Sequence, residues 1–263
     1  MATKRQPIKL IPRYIDDPGL IVVPIEDNNV YDEIGIDKNL PQHPALLYVP
    51  GPPMAGKSTL IQWLLAVPYN MFFNKIFIIS ATIHKDISWQ KFKFEGTRVY
   101  EQYSDEIMKN IVSEIENSED EKCLIIIDDM TGQDIFSGRS NELVKFIPVH
   151  RHSPKKLPPN VCGTSLWIMS HQYVTIQKRI RGLMSDLVIF ALRSDEELEA
   201  IAQDCKGLKL NYNEFKQLYL DATKEPFSFL YIQKKNKVDP FRIGFNIVME
   251  EQHDENKIED NNI

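Results

Sequence analysis

No stretch of this sequence approaches the ~20 consecutive apolar residues that span a bilayer. Its opening, MATKRQPIKLIPRYIDD, carries basic residues with no apolar run behind them. Neither a membrane span nor a secretory leader is expected, which points to a soluble, intracellular protein. Cysteine is scarce: Cys123, Cys162 and Cys205 lie far apart and form no CxxC pair. That spacing argues against a zinc cluster or a disulfide framework and agrees with a reducing compartment. Cys123 opens an apolar run and reads as a small packed hydrophobe. There is no internal repeat. Acidic residues are missing altogether between Glu142 and Asp186, where Lys145, Arg151, Lys155, Lys156, Lys178, Arg179 and Arg181 all fall.

That gap changes the meaning of the formal net charge of −6. Residues 249–263 hold six acids against the single Lys257, so the rest of the chain is close to neutral. A basic surface on a near-neutral body is compatible with binding a phosphate backbone. It is equally compatible with a chance gap filled by solvated lysines.

The 263 residues, 43% of them hydrophobic, are enough to bury a large core. Residues 1–40 mix Pro, Asp and Asn with short apolar runs and read as an irregular arm holding a strand or two. Residues 249–263 read as a disordered acidic tail. Between them, residues 41–248 alternate short apolar runs with longer amphipathic segments. The runs ALLYVP (45–50), KIFIIS (75–80), CLIIID (123–128), SLWIMS (165–170) and DLVIFAL (186–192) are continuous rather than alternating in polarity, as expected of strands covered on both faces. Segments near 57–66, 104–116, 140–147, 194–205 and 211–222 have helical spacing, and Ser194-Asp195-Glu196-Glu197 supplies N-cap chemistry. The alternation specifies an α/β fold, a mainly parallel sheet sandwiched by helices. FSFLYI (227–232) and FRIGFNIV (241–248) suggest a closing hairpin that turns in the basic stretch Lys234–Lys237.

Between the first strand and the first helix lies Gly51-Pro52-Pro53-Met54-Ala55-Gly56-Lys57-Ser58, followed by Thr59. It matches G-x-x-x-x-G-K-[ST] in the strand-to-helix context the pattern requires. Gly51 permits the sharp exit from the strand, and Gly56 lets the backbone close on phosphates. The N–H groups there form an anion nest. Lys57 is expected to neutralise the β- and γ-phosphates of ATP, and the Ser58 hydroxyl to ligate Mg²⁺. Pro52 and Pro53 offer no N–H, and Met54 stands where many such loops carry glycine.

LIIIDD, ending at Asp128 and Asp129, places two carboxylates at the sheet edge where open α/β folds bind ligands. Asp128 is expected to hold Mg²⁺, and Asp129 to polarise an attacking water. Alternatively, the two acids simply cap a strand. Ser170-His171-Gln172 ends the next strand, SLWIMS, and Gln172 is a candidate sensor of the γ-phosphate. Arg151, Arg179 and Arg181 are candidates for an arginine acting across a subunit boundary, or for ordinary surface charges. His150 and His152 lack an evident third partner for a metal.

Taken in order, GPPMAGKS, LIIIDD, Arg151-His152, LWIMSHQY with Gln172, and Ile180-Arg181 ahead of LVIF resemble the DNA-packaging ATPases of large DNA viruses and virophages. That family is a branch of the FtsK–HerA superfamily. The likeness covers roughly residues 45–192. It implies a homo-oligomeric ring, with a hexamer expected, that spends ATP to thread double-stranded DNA into a preformed capsid. It also implies contacts to the DNA backbone and to capsid proteins, action in the host cytoplasm, and Arg181 as first candidate for the trans arginine. Two readings from other classes stay open: a small-molecule or nucleotide kinase, and a nucleotide-regulated switch without useful turnover.

Overall fold

The computed structural model describes residues 10–14, 36–86, 89, 96–118, 122–130, 135–136, 141–154, 163–208 and 210–251. Most of the proposed arm, the acidic tail beyond Glu251, Cys162, Lys155 and Lys156 lie outside these residues. The strands are β1 (Leu10–Tyr14), β2 (Leu46–Pro50), β3 (Lys75–Ser80), β4 (Thr97–Tyr100), β5 (Lys122–Asp128), β6 (Gly163–Ser170), β7 (Asp186–Phe190), β8 (Phe229–Gln233), β9 (Phe241–Ile243) and β10 (Ile247–Glu251). They form one sheet in the order β1-β10-β9-β8-β7-β2-β6-β5-β3-β4. The six strands from β7 to β4 are parallel, and β8, β9, β10 and β1 extend them in antiparallel fashion.

The helices are α1 (Lys57–Ala66), α2 (Asp105–Glu116), α3 (Glu142–Phe146), α4 (Lys178–Arg181), α5 (Asp195–Asp204) and α6 (Tyr212–Ala222). Their starts follow local chemistry. The Ser104 and Ser194 side chains accept N–H bonds from Ile107 and Glu197, and Asn211 with Glu214 forms a reciprocal capping box. The segment expected as one helix over 140–147 is α for only five residues, then tightens into a 3-10 helix at Ile147–His152. Pro148 accounts for the change, since it has no N–H for the α ladder.

The central strands alternate between two cores. Leu46 and Tyr48 of β2, with Ile125, Ile127, Leu166 and Ile168, pack beneath α2, α3, α5 and α6. Leu47 and Val49, with Ile126, Trp167 and Met169, face α1 through Leu60, Trp63 and Leu64. Both faces of β2 are therefore buried, which is why its sequence is apolar without alternation.

The expected hairpin forms from β8 and β9 with its turn in the basic stretch, but FRIGFNIV splits into β9 and β10 at Gly244, which has φ +60°. FSFLYI also begins later than its apolar pattern implies: Phe227 and Ser228 precede β8. β4 was not evident in the sequence. Its TRVY is half-exposed because, among the described residues, it is an edge strand paired with β3 alone, and Arg98 reaches Glu114 at 2.6 Å.

Candidate nucleotide-binding site

The carboxyl ends of the parallel strands bring the sequence motifs to one edge. Pro50 pairs with Ser170, and the Gly51 N–H donates to the Ser170 carbonyl at 3.1 Å, so the loop leaving β2 is tied to the end of β6. Gly56 lies at φ +100° as the N-cap of α1. Met54 lies at φ +64°. This left-handed geometry explains why glycine is usual there, since a side chain crowds the backbone in it. Lys57 is buried at the start of α1, and its Nζ donates to the Gly51 carbonyl at 2.7 Å and the Pro52 carbonyl at 2.9 Å.

Asp128 ends β5 and is 4% exposed. Its Oδ2 accepts from the Trp89 indole N–H at 3.0 Å. Burial pushes the Asp128 carboxyl above its usual range, and the indole bond partly offsets this. Burial likewise pushes the Lys57 ammonium below its usual range; Asp128 and Asp129 oppose that shift and Arg193 adds to it. The two groups therefore sense each other across the edge of the sheet. Arg193, just beyond β7, brings a further positive charge to the site.

Asp129 turns out of the strand at φ +48°, and its Oδ1 is 2.7 Å from His171 Nε2. Aspartate is one of the few non-glycine residues that adopt this region readily. Gln172 is exposed, while its backbone is held firmly. Ser170 Oγ donates to its carbonyl at 2.7 Å, and the Tyr48 hydroxyl lies 2.9 Å from the same oxygen. The Tyr48 ring stacks on Tyr173, which follows Gln172. Lys57, Asp128, Asp129 and Gln172 thus share one edge of the sheet.

Arg181 does not join them at a surface. It is 7% exposed, donates from Nε to Asp204 at 2.8 Å and from Nη1 to the Ile176 carbonyl at 2.8 Å, and packs 4.6 Å from the Tyr173 ring. A guanidinium committed to these partners braces α4 against α5 within the chain. Arg151 and Arg179 are exposed. His150 is buried against the Thr164 carbonyl at 2.7 Å, which assigns it to the core.

The donor set also bears on Mg²⁺. Among the described residues no group of three or more His, Cys, Asp or Glu side chains could hold a metal on protein ligands alone. Ser58 and Asp128 offer only hard oxygens, and few of them. This suits a cation that takes its remaining oxygens from water and phosphate, as Mg²⁺ does. Sequence reading missed Trp89, Arg193 and the role of His171. Only His171 carried a signal, through its place beside Gln172.

No family model matches this chain, and no curated protein sequence matches it. Solved structures do share its fold. The genome packaging NTPase B204 from Sulfolobus turreted icosahedral virus 2, in complex with ATP-gammaS, aligns at TM-score 0.58 and 12% identity, over 81% of this chain and 100% of that one. The same protein with AMPPCP gives 0.57 and 13%, over 80% and 98%. The DNA-packaging ATPase B204 from Sulfolobus Turreted Icosahedral Virus gives 0.56 and 14%, again over 80% and 98%. The class is therefore a P-loop NTPase fold with a mainly parallel sheet. Within that class, this chain has the architecture seen in these viral packaging proteins.

Proposed function

We propose that this chain is an ATPase that drives double-stranded DNA into a preformed viral capsid, acting as a homo-oligomeric ring of which the hexamer is the expected form. The observation that carries the reading is the convergence of Lys57, Asp128, Asp129 and Gln172 on one sheet edge beside the P-loop. The packaging step draws its support from the likeness in fold to the viral packaging NTPases. The ordered motifs from Gly51 to Arg181 add to that support.

In this reading the P-loop amides and α1 N-terminus bind the phosphates. The Lys57 ammonium exchanges the Gly51 and Pro52 carbonyls for phosphate oxygens. Ser58 and Asp128 would hold Mg²⁺, which would supply neutralisation of phosphate charge. Asp129 accepts a hydrogen bond from the attacking water and orients it, with His171 fixing the carboxylate. Gln172 reads the γ-phosphate, and its anchored backbone passes any displacement to Tyr173 and Arg181 behind it. Arg181 stays a candidate for a trans arginine, beside Arg179 and Arg151, which are both exposed. Contacts with DNA are to the backbone, since a packaging motor has to pass any sequence.

The test is ATP turnover with and without double-stranded DNA, combined with mass measurement of the assembly. Strong stimulation by DNA in a ring-sized particle is expected. A monomer with DNA-independent turnover refutes the motor.

A further inference from the structure

The sheet order puts the acids and Gln172 on one side of the P-loop strand, at the ends of β5 and β6, and leaves β7 and β8 on the other. A triphosphate lying along the loop with its γ end toward Asp128 therefore directs its nucleoside toward β7 and β8. On that side the structure has a cavity of about 410 Å³ between the P-loop and the segment joining α6 to β8. This volume falls within the range of about 300–1,000 Å³ common for small-molecule sites.

Two large apolar side chains line this cavity while standing in solvent: Met54 is 93% exposed and Phe227 is 70% exposed. Both sit at φ +64°, a conformation that L residues rarely adopt. Two separate loops thus each accept a strained backbone and an unburied hydrophobe at the same cavity. The Phe227 ring reaches the P-loop itself, since a Cβ added at Gly56 would lie 3.4 Å from its Cδ1. Strain and exposed apolar surface kept together at a cleft are features of ligand contacts.

We propose that this cavity is the nucleobase subsite, in which Phe227 and Met54 grip the faces of a purine base. The inference rests on the P-loop reading and extends it. An aromatic face and a polarizable thioether are both good partners for a flat π-system. At the base edge Lys224 and Glu225 are exposed, and the two hydroxyls of the lining are already engaged. The Thr223 hydroxyl already donates to the Tyr219 carbonyl at 2.8 Å, and Ser228 Oγ to the Glu225 carbonyl at 2.6 Å. Recognition through faces separates one purine from another only weakly, whereas committed edge bonds discriminate by orders of magnitude.

The experiment separates the base from the phosphates by measuring KM for ATP and for GTP, and Ki for inorganic tripolyphosphate, which has no base. Phe227→Ala is expected to raise the ATP KM about tenfold and leave the tripolyphosphate Ki unchanged, with Phe227→Trp restoring the KM. Met54→Gly relieves the backbone yet also raises the ATP KM, without lowering the melting temperature. GTP is expected within about tenfold of ATP. The proposal is overturned if Phe227→Ala and Met54→Gly leave the ATP KM unchanged. It is also overturned if the tripolyphosphate Ki rises in step with that KM, or if GTP is rejected more than about a hundredfold. Lys57→Ala serves as the separate control: retention of ATP and tripolyphosphate binding by that variant removes the P-loop reading itself.

Discussion

Lowering the pH from 7 to 5 is expected to destabilise this protein through the His150 imidazole. His150 is 4% exposed within the 3-10 turn, and its Nδ1 meets the Thr164 carbonyl at 2.7 Å. Burial pushes its pKa from 6.5 down to about 4; the carbonyl opposes the shift, and Arg151, Lys235 and His152 reinforce it. The sign follows from proton counting. Below pH 6.5 the unfolded chain binds a proton that the folded chain refuses until about pH 4. The stability from a neutral His150 is therefore complete above pH 6.5, erodes as the pH falls, and is gone below about pH 4. A shift of this size corresponds to about 3 kcal/mol in all, of which about 2 kcal/mol is lost between pH 7 and 5. Urea unfolding of the wild type and of His150→Gln at both pH values isolates the effect, because every other titrating group is common to the two proteins. The variant is expected to be weaker at pH 7 and to lose about 2 kcal/mol less on acidification. Equal losses in the two proteins would refute the argument.

Lys57→Ala should abolish hydrolysis and sharply weaken ATP binding, measured by nucleotide titration; near-normal turnover would contradict the assigned site. Asp129→Asn is expected to leave Mg·ATP bound and slow turnover on the order of 10²-fold, the contribution of a positioned base. Asp128→Asn should instead shift the Mg²⁺ dependence, and the opposite pattern in the two variants reverses their roles. Arg181→Ala leaves the buried Asp204 carboxylate without its cation, with only the Tyr173 hydroxyl still donating to it, and should cost about 3 kcal/mol in thermal or chemical unfolding. Unchanged stability with loss of DNA-stimulated turnover would assign Arg181 the trans role.

What the sequence disclosed follows from how local each signal is. β2, β5, β6 and β7 could be read because burial on both faces gives each a continuous apolar centre without alternation. The P-loop could be read because its whole chemistry lies in one turn. β4 escaped because an edge strand needs no such run. The partners of Arg181, Asp204 and the Tyr173 ring, could not be read because they meet it only after α4 and α5 pack together. Trp89 and Asp128 are likewise joined by tertiary structure across a spacing that no motif records. Phe227 looked like the first residue of a strand, and only the backbone turn ahead of β8 frees it to face the P-loop.

The central place of β2 has a consequence for synthesis. β2 ends at Pro50, but its two neighbours begin at Gly163 and Asp186. At about 5–20 residues per second, the ribosome delivers the first of them on the order of ten seconds later. Through that interval the P-loop strand has neither partner and exposes five apolar or aromatic positions to water. Nascent chains are thus expected to engage chaperones early, and ATP cannot act as a folding ligand until β7 has emerged. Such distant pairings also slow folding, because loop closure precedes the contacts that reward it. A fragment ending before Asp186 is then expected to aggregate rather than bind nucleotide, even though it contains the entire P-loop.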